Sequence, residues 1–234
     1  MTRTFAGSRQ VLIFDADDTL WENNILFERV IDDFMRWVSH PTLDDMAIRA
    51  MLNHIQSANA VTHGYGSRML IHSLGECFEQ LRERPATGEE RRHIDTLAAN
   101  LAEGKVELIP GVADTLSELG TRHELLLLTK GHPGDQQRKL DVSGLAHHFR
   151  SIHIVHEKDA QIYHDLARQL ALTTASTWMI GNSPKSDINP ARQAGMNAVF
   201  IPNDNTWVLE HSEIDPGDAR VLRLDRFPQL LDHF

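Results

Sequence analysis

Two carboxylates separated by one residue follow an apolar run near the start of the chain. The run Val11–Phe14 leads directly into Asp15, and Asp17 follows after a single alanine. One such carboxylate can attack phosphorus, while the other protonates the leaving oxygen and then deprotonates a water molecule. The alternative is an acidic loop that only caps the next helix. We therefore take Asp15 as the candidate nucleophile and Asp17 as the candidate general acid and base.

A second group of candidates follows the apolar run 125–128. The hydroxyl of Thr129 and the backbone N–H groups of Lys130 and Gly131 can bind phosphoryl oxygens, although an ordinary strand-to-helix turn has the same composition. Further along the chain, the ammonium of Lys158 could neutralise both a nucleophile and a phosphate. The alternative for Lys158 is a solvated surface lysine.

Oxygen-bearing side chains are concentrated in the segment 181–187, which reads Gly-Asn-Ser-Pro-Lys-Ser-Asp. Magnesium prefers oxygen ligands in octahedral geometry and usually keeps several waters, so a few protein oxygens suffice. Asp15, the backbone carbonyl of Asp17, and either Asn182 or Asp187 would supply these oxygens. The alternative is that the polar residues of this segment only cap a helix. The sequence leaves open whether Asn182 or Asp187 binds the metal directly.

Short apolar or alternating runs predict the strands that position these clusters. The runs are 11–14, 124–129, 151–155, 177–180, 197–201 and, as an edge strand, 220–224. Helical patterns lie between them at 111–119, 159–172 and 184–194. This alternation predicts an α/β fold with a parallel sheet covered by helices on both faces. Because ligands bind at the carboxyl ends of such strands, the four clusters should converge on one site.

One long segment interrupts the alternation of strands and helices. Between residues 21 and 105 the sequence shows no convincing strand, and helical periodicity runs through 22–38, 43–59, 66–82 and 88–103. We therefore predict two domains. Residues 1–20 and 106–234 would form a catalytic core, and residues 21–105 would form an inserted all-helical domain.

Taken in order, the four clusters resemble the four motifs of the haloacid dehalogenase superfamily. The first matches Asp-x-Asp-x-Thr as Asp15-Ala-Asp-Asp-Thr19. The second and third match as a strand that ends at Thr129 and as Lys158. The fourth matches over residues 181–187, with Asn182 where most members carry Asp. A neutral amide oxygen at this position predicts weaker binding of the metal.

The resemblance implies a Rossmann-like core with a helical cap inserted after the first motif. It implies that Asp15 is the nucleophile and a metal ligand, and that Asp17 is the general acid and base, with its backbone carbonyl on the metal. Thr129 would bind phosphate, Lys158 would neutralise charge, and Asp187 would belong to the metal site. The cofactor implied is Mg²⁺.

The family holds phosphatases, phosphomutases, phosphonatases and dehalogenases, and the resemblance extends from residue 11 to about residue 201. Dehalogenases need no proton donor and lack the second aspartate, so Asp17 favours phosphoryl transfer. Phosphonatases form a Schiff base with a cap lysine, and residues 21–104 contain no lysine. We therefore expect a magnesium-dependent phosphohydrolase acting on a small phosphate monoester. A 2-haloacid dehalogenase, a phosphomutase and a non-catalytic binding protein remain alternatives.

Composition limits the partners and the compartment. The 234 residues carry a formal net charge of −10, which disfavours nonspecific binding of nucleic acid. A small phosphorylated metabolite, such as a nucleotide or a sugar phosphate, is the expected partner because a local site can be positive on an acidic protein. The run 125–128 is far shorter than the roughly 20 apolar residues that span a membrane. The first ten residues show no secretory signal and the single Cys77 fits a reducing compartment, so we expect a cytoplasmic protein.

Overall fold

The computed structural model describes residues 9–102 and 106–234. The chain divides into two compact units. The first unit contains the segment that ends at Asn24 together with Val106–Phe234, and the second contains the segment that begins at Ile25. The N-terminal residues 1–8, the predicted domain limit at residue 105 and the predicted helix end at residue 103 lie outside the described residues.

Six strands of the first unit form one parallel sheet, as the sequence predicted. The strands of this unit among the described residues are β1 (Val11–Phe14), β2 (Trp21–Glu22), β3 (Glu107–Leu108), β4 (Glu124–Lys130), β5 (Ser151–Val155), β6 (Thr177–Gly181), β7 (Asn197–Phe200) and β8 (Val221–Arg223). The sheet order is β5-β4-β1-β6-β7-β8, and every neighbouring pair is parallel. The order reverses beside β1, so the carboxyl ends of β4, β1 and β6 lie side by side where ligands bind in such sheets.

Helices make up the second unit and flank the strands of the first along the chain. Within the described residues they are α1 (Asn24–Trp37), α2 (Asp45–His63), α3 (Ser67–Arg82), α4 (Gly88–Leu97), α5 (Ala99–Ala102), α6 (Val112–Arg122), α7 (Pro133–Ser143), α8 (Ala160–Gln169) and α9 (Asn189–Gln193). The sequence patterns predicted all of these segments except α7. In the part of the chain that the structure describes, no helix has both the length and the apolar character needed to cross a bilayer.

Alternate residues of β1 face opposite sides of the sheet. Leu12 and Phe14 belong to one hydrophobic cluster, which includes Leu116 of α6. Ile13 belongs to a second cluster, which includes Tyr163 of α8. Burying each of these side chains contributes roughly 1.5–3 kcal/mol, so helices are favoured on both faces. This two-sided burial explains why the central strands read as continuous apolar runs.

The prediction that no strand lies between residues 21 and 105 is wrong at one point. The two residues of β2 pair antiparallel with β3, and Trp21 lies opposite Leu108. Two residues are too few to produce an alternating pattern, and their partner lies far along the chain. The pairing fixes the path of the backbone just after the first motif.

The second unit has a hydrophobic core of its own. Its buried side chains include Phe34 of α1, Leu74 and Phe78 of α3, together with residues of α2 and α4. Helix α2 begins after Asp44 and helix α4 after Thr87, and the side chain of each accepts a backbone N–H in the first turn. The unit therefore has the local signals and the apolar interior of a compact helical structure.

Candidate active site

The carboxylate of Asp15 lies at the end of β1, in contact with a lysine from a distant segment. Lys158 Nζ donates to Asp15 Oδ1 at 2.5 Å and to Asp187 Oδ1 at 2.8 Å. All three residues are buried, with exposures of 7%, 3% and 1% for Asp15, Lys158 and Asp187. The fold therefore brings together three of the predicted site residues.

This cluster carries more negative than positive charge. Burial and the neighbouring carboxylate of Asp187 raise the pKa of Asp15 to about 7, although Lys158 acts in the opposite direction. Burial lowers the pKa of Lys158, but the two carboxylates outweigh burial and hold its pKa above the usual value. Two buried carboxylates thus share one ammonium, and an additional cation would offset the remaining negative charge.

Oxygen atoms suited to a hard cation converge beside Asp15. Thr19 Oγ1 lies 3.1 Å from Asp15 Oδ2 and 3.2 Å from Asn182 Oδ1. Its single hydroxyl proton can serve only one of them. Asn182 Nδ2 donates to Thr206 Oγ1 at 2.8 Å, which directs Oδ1 toward the site.

The chemistry of these donors fits Mg²⁺ better than a transition metal. Among the described residues, no group of three or more His, Cys, Asp and Glu side chains is placed to hold a metal ion. A metal beside Asp15 would therefore have to use amide, hydroxyl or backbone oxygens and water besides one carboxylate. Mg²⁺ accepts such a set, because it takes oxygen ligands and keeps several waters.

Asp187 is positioned by a π-helical turn. The sequence predicted a regular helix over 184–194, but the structure has a π-helix over Pro184–Ile188, followed by α9. Ser183 directly precedes this turn, and its side chain accepts the N–H of Ser186. A π-turn contains one residue more than an α-turn, which changes the direction in which the following side chains point. Single π-turns of this kind occur frequently at functional sites.

Gly181 provides the space that Asp187 needs. A Cβ at Gly181 would lie 2.2 Å from Asp187 Oδ2, which is closer than non-bonded heavy atoms approach each other. The same Oδ2 accepts the N–H of Ser183 at 2.9 Å, while Oδ1 accepts from Lys158. The glycine of the fourth motif is therefore required by the packing of Asp187.

Asp17 has a separate set of partners. Lys139 Nζ lies 2.7 Å from both carboxylate oxygens, and Trp21 Nε1 and Gln136 Nε2 donate at 2.7 and 2.9 Å. Burial raises the pKa of Asp17, but Lys139 and these hydrogen bonds outweigh burial, so the pKa lies below the usual value. Sequence reasoning missed Gln136 and Lys139. Their spacing of three residues puts both on one face of α7, but nothing local in the sequence places that face at Asp17.

The phosphate-binding candidates after β4 have different surroundings. Thr129 is buried at the end of the strand, with 2% exposure. The N–H of Gly131 donates to the carbonyl of Val155 at 3.0 Å, so the sheet already uses this predicted phosphate donor. Lys130 Nζ donates to Glu210 Oε1 at 2.5 Å. Phosphate binding by Lys130 and Gly131 stays a prediction. The contacts do not favour it, because the Gly131 N–H and the Lys130 ammonium already bond to other protein groups.

Glu210 organises the fourth motif from a segment that sequence reasoning did not consider. Its Oε2 accepts the hydroxyls of Ser183 at 2.6 Å and Ser186 at 2.5 Å, and Lys130 also donates to Ser186 at 2.8 Å. Burial raises the pKa of Glu210, but Lys130 and the two hydroxyls outweigh it and lower the pKa. The carboxylate therefore links the end of β4 to the π-turn that carries Asp187.

Comparison with known proteins gives one family and one relative with a named activity. The family model described as haloacid dehalogenase-like hydrolase matches residues 10–195. A phosphoserine phosphatase of Thermus thermophilus is 33% identical over 248 residues, covering 91% of this chain and 95% of that protein.

Solved structures share the fold over nearly the whole chain. A haloacid dehalogenase-like family hydrolase from Xanthomonas campestris superposes with a TM-score of 0.82 at 23% identity, covering 96% of this chain and 95% of that one. A 2-haloacid dehalogenase from Pseudomonas syringae superposes with a TM-score of 0.56 at 19% identity, covering 96% and 97%. At these identities the likeness concerns the fold, and two differently named enzymes share it.

Proposed function

The chain belongs to the haloacid dehalogenase-like hydrolases, and we propose that it is a magnesium-dependent phosphatase that cleaves a small phosphate monoester. The observation that carries this proposal is the second carboxylate, Asp17, which follows the Lys158-paired Asp15 by two residues. Displacement of a halide requires no proton donor, whereas expulsion of an alcohol from phosphorus does. The relative named phosphoserine phosphatase supports the same reaction.

In the first half of the proposed reaction, a carboxylate oxygen of Asp15 attacks phosphorus. The bond between phosphorus and the leaving oxygen breaks, and its electron pair stays on that oxygen. Asp17 in its protonated form gives its proton to the same oxygen. The products of this half are an aspartyl phosphate on Asp15, a free alcohol and an ionised Asp17.

In the second half, water attacks the phosphorus of the aspartyl phosphate. Asp17 takes a proton from this water, and the bond between phosphorus and the Asp15 oxygen breaks with its electron pair returning to Asp15. Inorganic phosphate is released and Asp17 is protonated again. Lys158 offsets negative charge at Asp15 throughout, and Thr129 would donate its hydroxyl to a phosphoryl oxygen.

The metal site would use Asp15, the backbone carbonyl of Asp17, and Asn182. Asn182 is the better candidate for direct contact with the metal, since its Oδ1 lies within hydrogen-bond distance of the Thr19 hydroxyl, which also contacts Asp15. Both oxygens of Asp187 have partners in Lys158 and Ser183, so Asp187 would act by placing Lys158 and adding negative charge. A bound Mg²⁺ would supply charge that stabilises the transferring phosphoryl group.

The substrate we propose is a small phosphorylated metabolite in the cytoplasm. Phosphoserine is the first compound to test because of the 33% identical relative, with nucleotides and sugar phosphates beside it. We also propose that the inserted helical segment is the cap domain of the family. The separate hydrophobic core of this segment and its place directly after the first motif support this assignment.

Two assays run in parallel test the proposed reaction. Purified protein should release phosphate from p-nitrophenyl phosphate and from members of the metabolite panel when Mg²⁺ is present, and EDTA should abolish this activity. Asp15→Asn should lose it as well, since the amide is a poor nucleophile. Halide release from a 2-haloacid in the presence of EDTA, without any phosphatase activity, would overturn the proposal. Equal inactivity of wild type and Asp15→Asn over the panel would favour a binding protein.

A further inference from the structure

Both oxygens of the Asp17 carboxylate accept hydrogen bonds from side chains. Oδ1 accepts from Trp21 Nε1 and Lys139 Nζ, and Oδ2 accepts from Gln136 Nε2 and Lys139 Nζ, all within 2.9 Å. These four contacts, made by side chains of β2 and α7, hold the Asp17 side chain in one orientation.

The orientation of Gln136 is itself determined by its neighbours. Its Nε2 donates to Asp17 Oδ2 and, at 3.0 Å, to the carbonyl of Lys130. Both neighbours are acceptors, so only the NH₂ end of the amide can face them. Gly131 makes room for this contact, because a Cβ there would lie 2.8 Å from Gln136 Nε2. The glycine after Thr129 and Lys130 therefore serves the placement of Asp17.

We propose that Lys139 and Gln136 are positioning residues that hold Asp17 where it can protonate the leaving group. This inference rests on the proposed function and deepens it. Neither residue belongs to the four motifs of the family, and both reach Asp17 from α7, more than 110 positions along the chain. They act on the reaction only through Asp17.

Placement of Asp17 matters only where a proton must be given to the leaving oxygen. Without Lys139 or Gln136, the Asp17 side chain is no longer held in one orientation. Loss of Lys139 should therefore slow those reactions that depend on the proton, and it should spare those that do not.

The leaving group provides the test. p-Nitrophenolate leaves as a stable anion, whereas the alkoxide from an alkyl phosphate needs a proton as it leaves. With Lys139→Met we expect kcat/KM for the best alkyl phosphate of the panel to fall roughly 10- to 100-fold, within the range that acid–base catalysis contributes. For p-nitrophenyl phosphate the fall should be under about 3-fold, since little proton transfer is required. The ratio kcat/KM reports the steps up to attack by Asp15 and not the later hydrolysis of the aspartyl phosphate.

Asp17→Asn provides the reference for this pattern. It should show the same dependence on the leaving group, and Lys139→Met added to Asp17→Asn should cause no further loss. Two residues that act as one unit give such non-additive effects, whereas independent residues give additive ones. A uniform loss on both substrates, or an additive double variant, would overturn the inference.

Two neighbouring glutamines of α7 supply a matched control. Gln136 reaches Asp17, while Gln137 is exposed and donates to Asp141. Gln136→Leu should show the same dependence on the leaving group as Lys139→Met. Gln137→Leu should leave kcat/KM unchanged for both the alkyl phosphate and p-nitrophenyl phosphate. Gln136→Leu also keeps the test open if Lys139→Met fails to fold, which a thermal melt would show.

Failure of the inference is distinguishable from failure of the proposed function. If wild type hydrolyses no phosphate ester, the proposed function fails and the inference with it. If wild type is active and the leaving-group pattern is absent in both Lys139→Met and Gln136→Leu, only the inference fails.

Discussion

Asn182 donates from Nδ2 to Oγ1 of Thr206 at 2.8 Å, and with this bond in place the carbonyl end of the amide faces the site. The carbonyl oxygen consequently points to Thr19, beside Asp15. A reversed amide would place two N–H donors toward the metal position and would repel a cation. Thr206 therefore supports a neutral oxygen at the proposed metal site, where a carboxylate is usual in the family.

This arrangement predicts how metal affinity responds to substitution. Asn182→Asp adds a negative charge at an oxygen that already faces the site, so Mg²⁺ should bind more tightly. Thr206→Val removes the acceptor that orients the amide, and we expect metal affinity to fall roughly 10-fold or more, as for other supporting contacts of metal ligands. Calorimetric titration with Mg²⁺ measures both without relying on activity. Unchanged affinity in Thr206→Val would contradict the orienting role.

Removal of Lys158 should destabilise the first unit. Lys158→Met leaves Asp15 and Asp187 as buried carboxylates without their shared ammonium, and breaking a buried pair costs about 3–5 kcal/mol. Exposed Lys185 is the control, since its ammonium donates to the backbone carbonyl of Leu209. Lys185→Met should change the free energy of unfolding by about 0.5 kcal/mol or less. Urea denaturation followed by tryptophan fluorescence compares the two, and equal stabilities would contradict the prediction.

A methyl group at Gly181 should displace Asp187. The Cβ of Gly181→Ala would overlap Asp187 Oδ2, and overpacking of this kind costs roughly 1–3 kcal/mol. Phosphatase activity should fall with it, because Asp187 holds Lys158. At Gly75, inside α3, a Cβ would meet no atom within 4 Å beyond its own helix backbone and chain neighbours. Gly75→Ala should instead stabilise the protein by about 0.5–1 kcal/mol, and thermal melts of both variants check the opposite signs.

Asp18 should make folding stability depend on pH. Burial raises the pKa of Asp18 to about 7 although the N–H groups of Asn23 and Asn24 donate to its carboxylate. The folded-state pKa lies above the unfolded value, so its stabilising effect is complete below about pH 4 and is lost as pH rises through about 7. Asp18→Asn removes this loss, and asparagine also tolerates the positive φ of 61° at this position.

The measurement is the difference in unfolding free energy between Asp18→Asn and wild type. It should shift in favour of the variant by roughly 2–4 kcal/mol between pH 4 and pH 8, at 1.36 kcal/mol per pKa unit. Contributions from groups that do not interact with Asp18 cancel in the difference. A difference that does not change with pH would contradict a raised pKa for Asp18.

Patterns within a few residues predicted most of the first unit. The runs ending at Asp15 and Thr129 are apolar throughout because helices cover both faces of the sheet, and such runs identify buried strands directly. The order of strands and helices then placed Asp15, Lys158 and Asp187 at one edge, and the structure brings these three together. The short pair β2–β3 was missed because two residues carry no period.

Identities and spacing in the sequence alone thus determined the family, the parallel sheet and the candidate nucleophile. Tertiary structure decided which distant side chains contact the candidate site residues: Lys139 and Gln136 contact Asp17, Glu210 contacts Lys130, and Thr206 contacts Asn182. These pairs join residues between 24 and 122 positions apart. Periodicity depends on near neighbours, whereas an ion pair or an oriented amide depends on where the backbone packing of distant segments places each polar group. No local pattern carries that information.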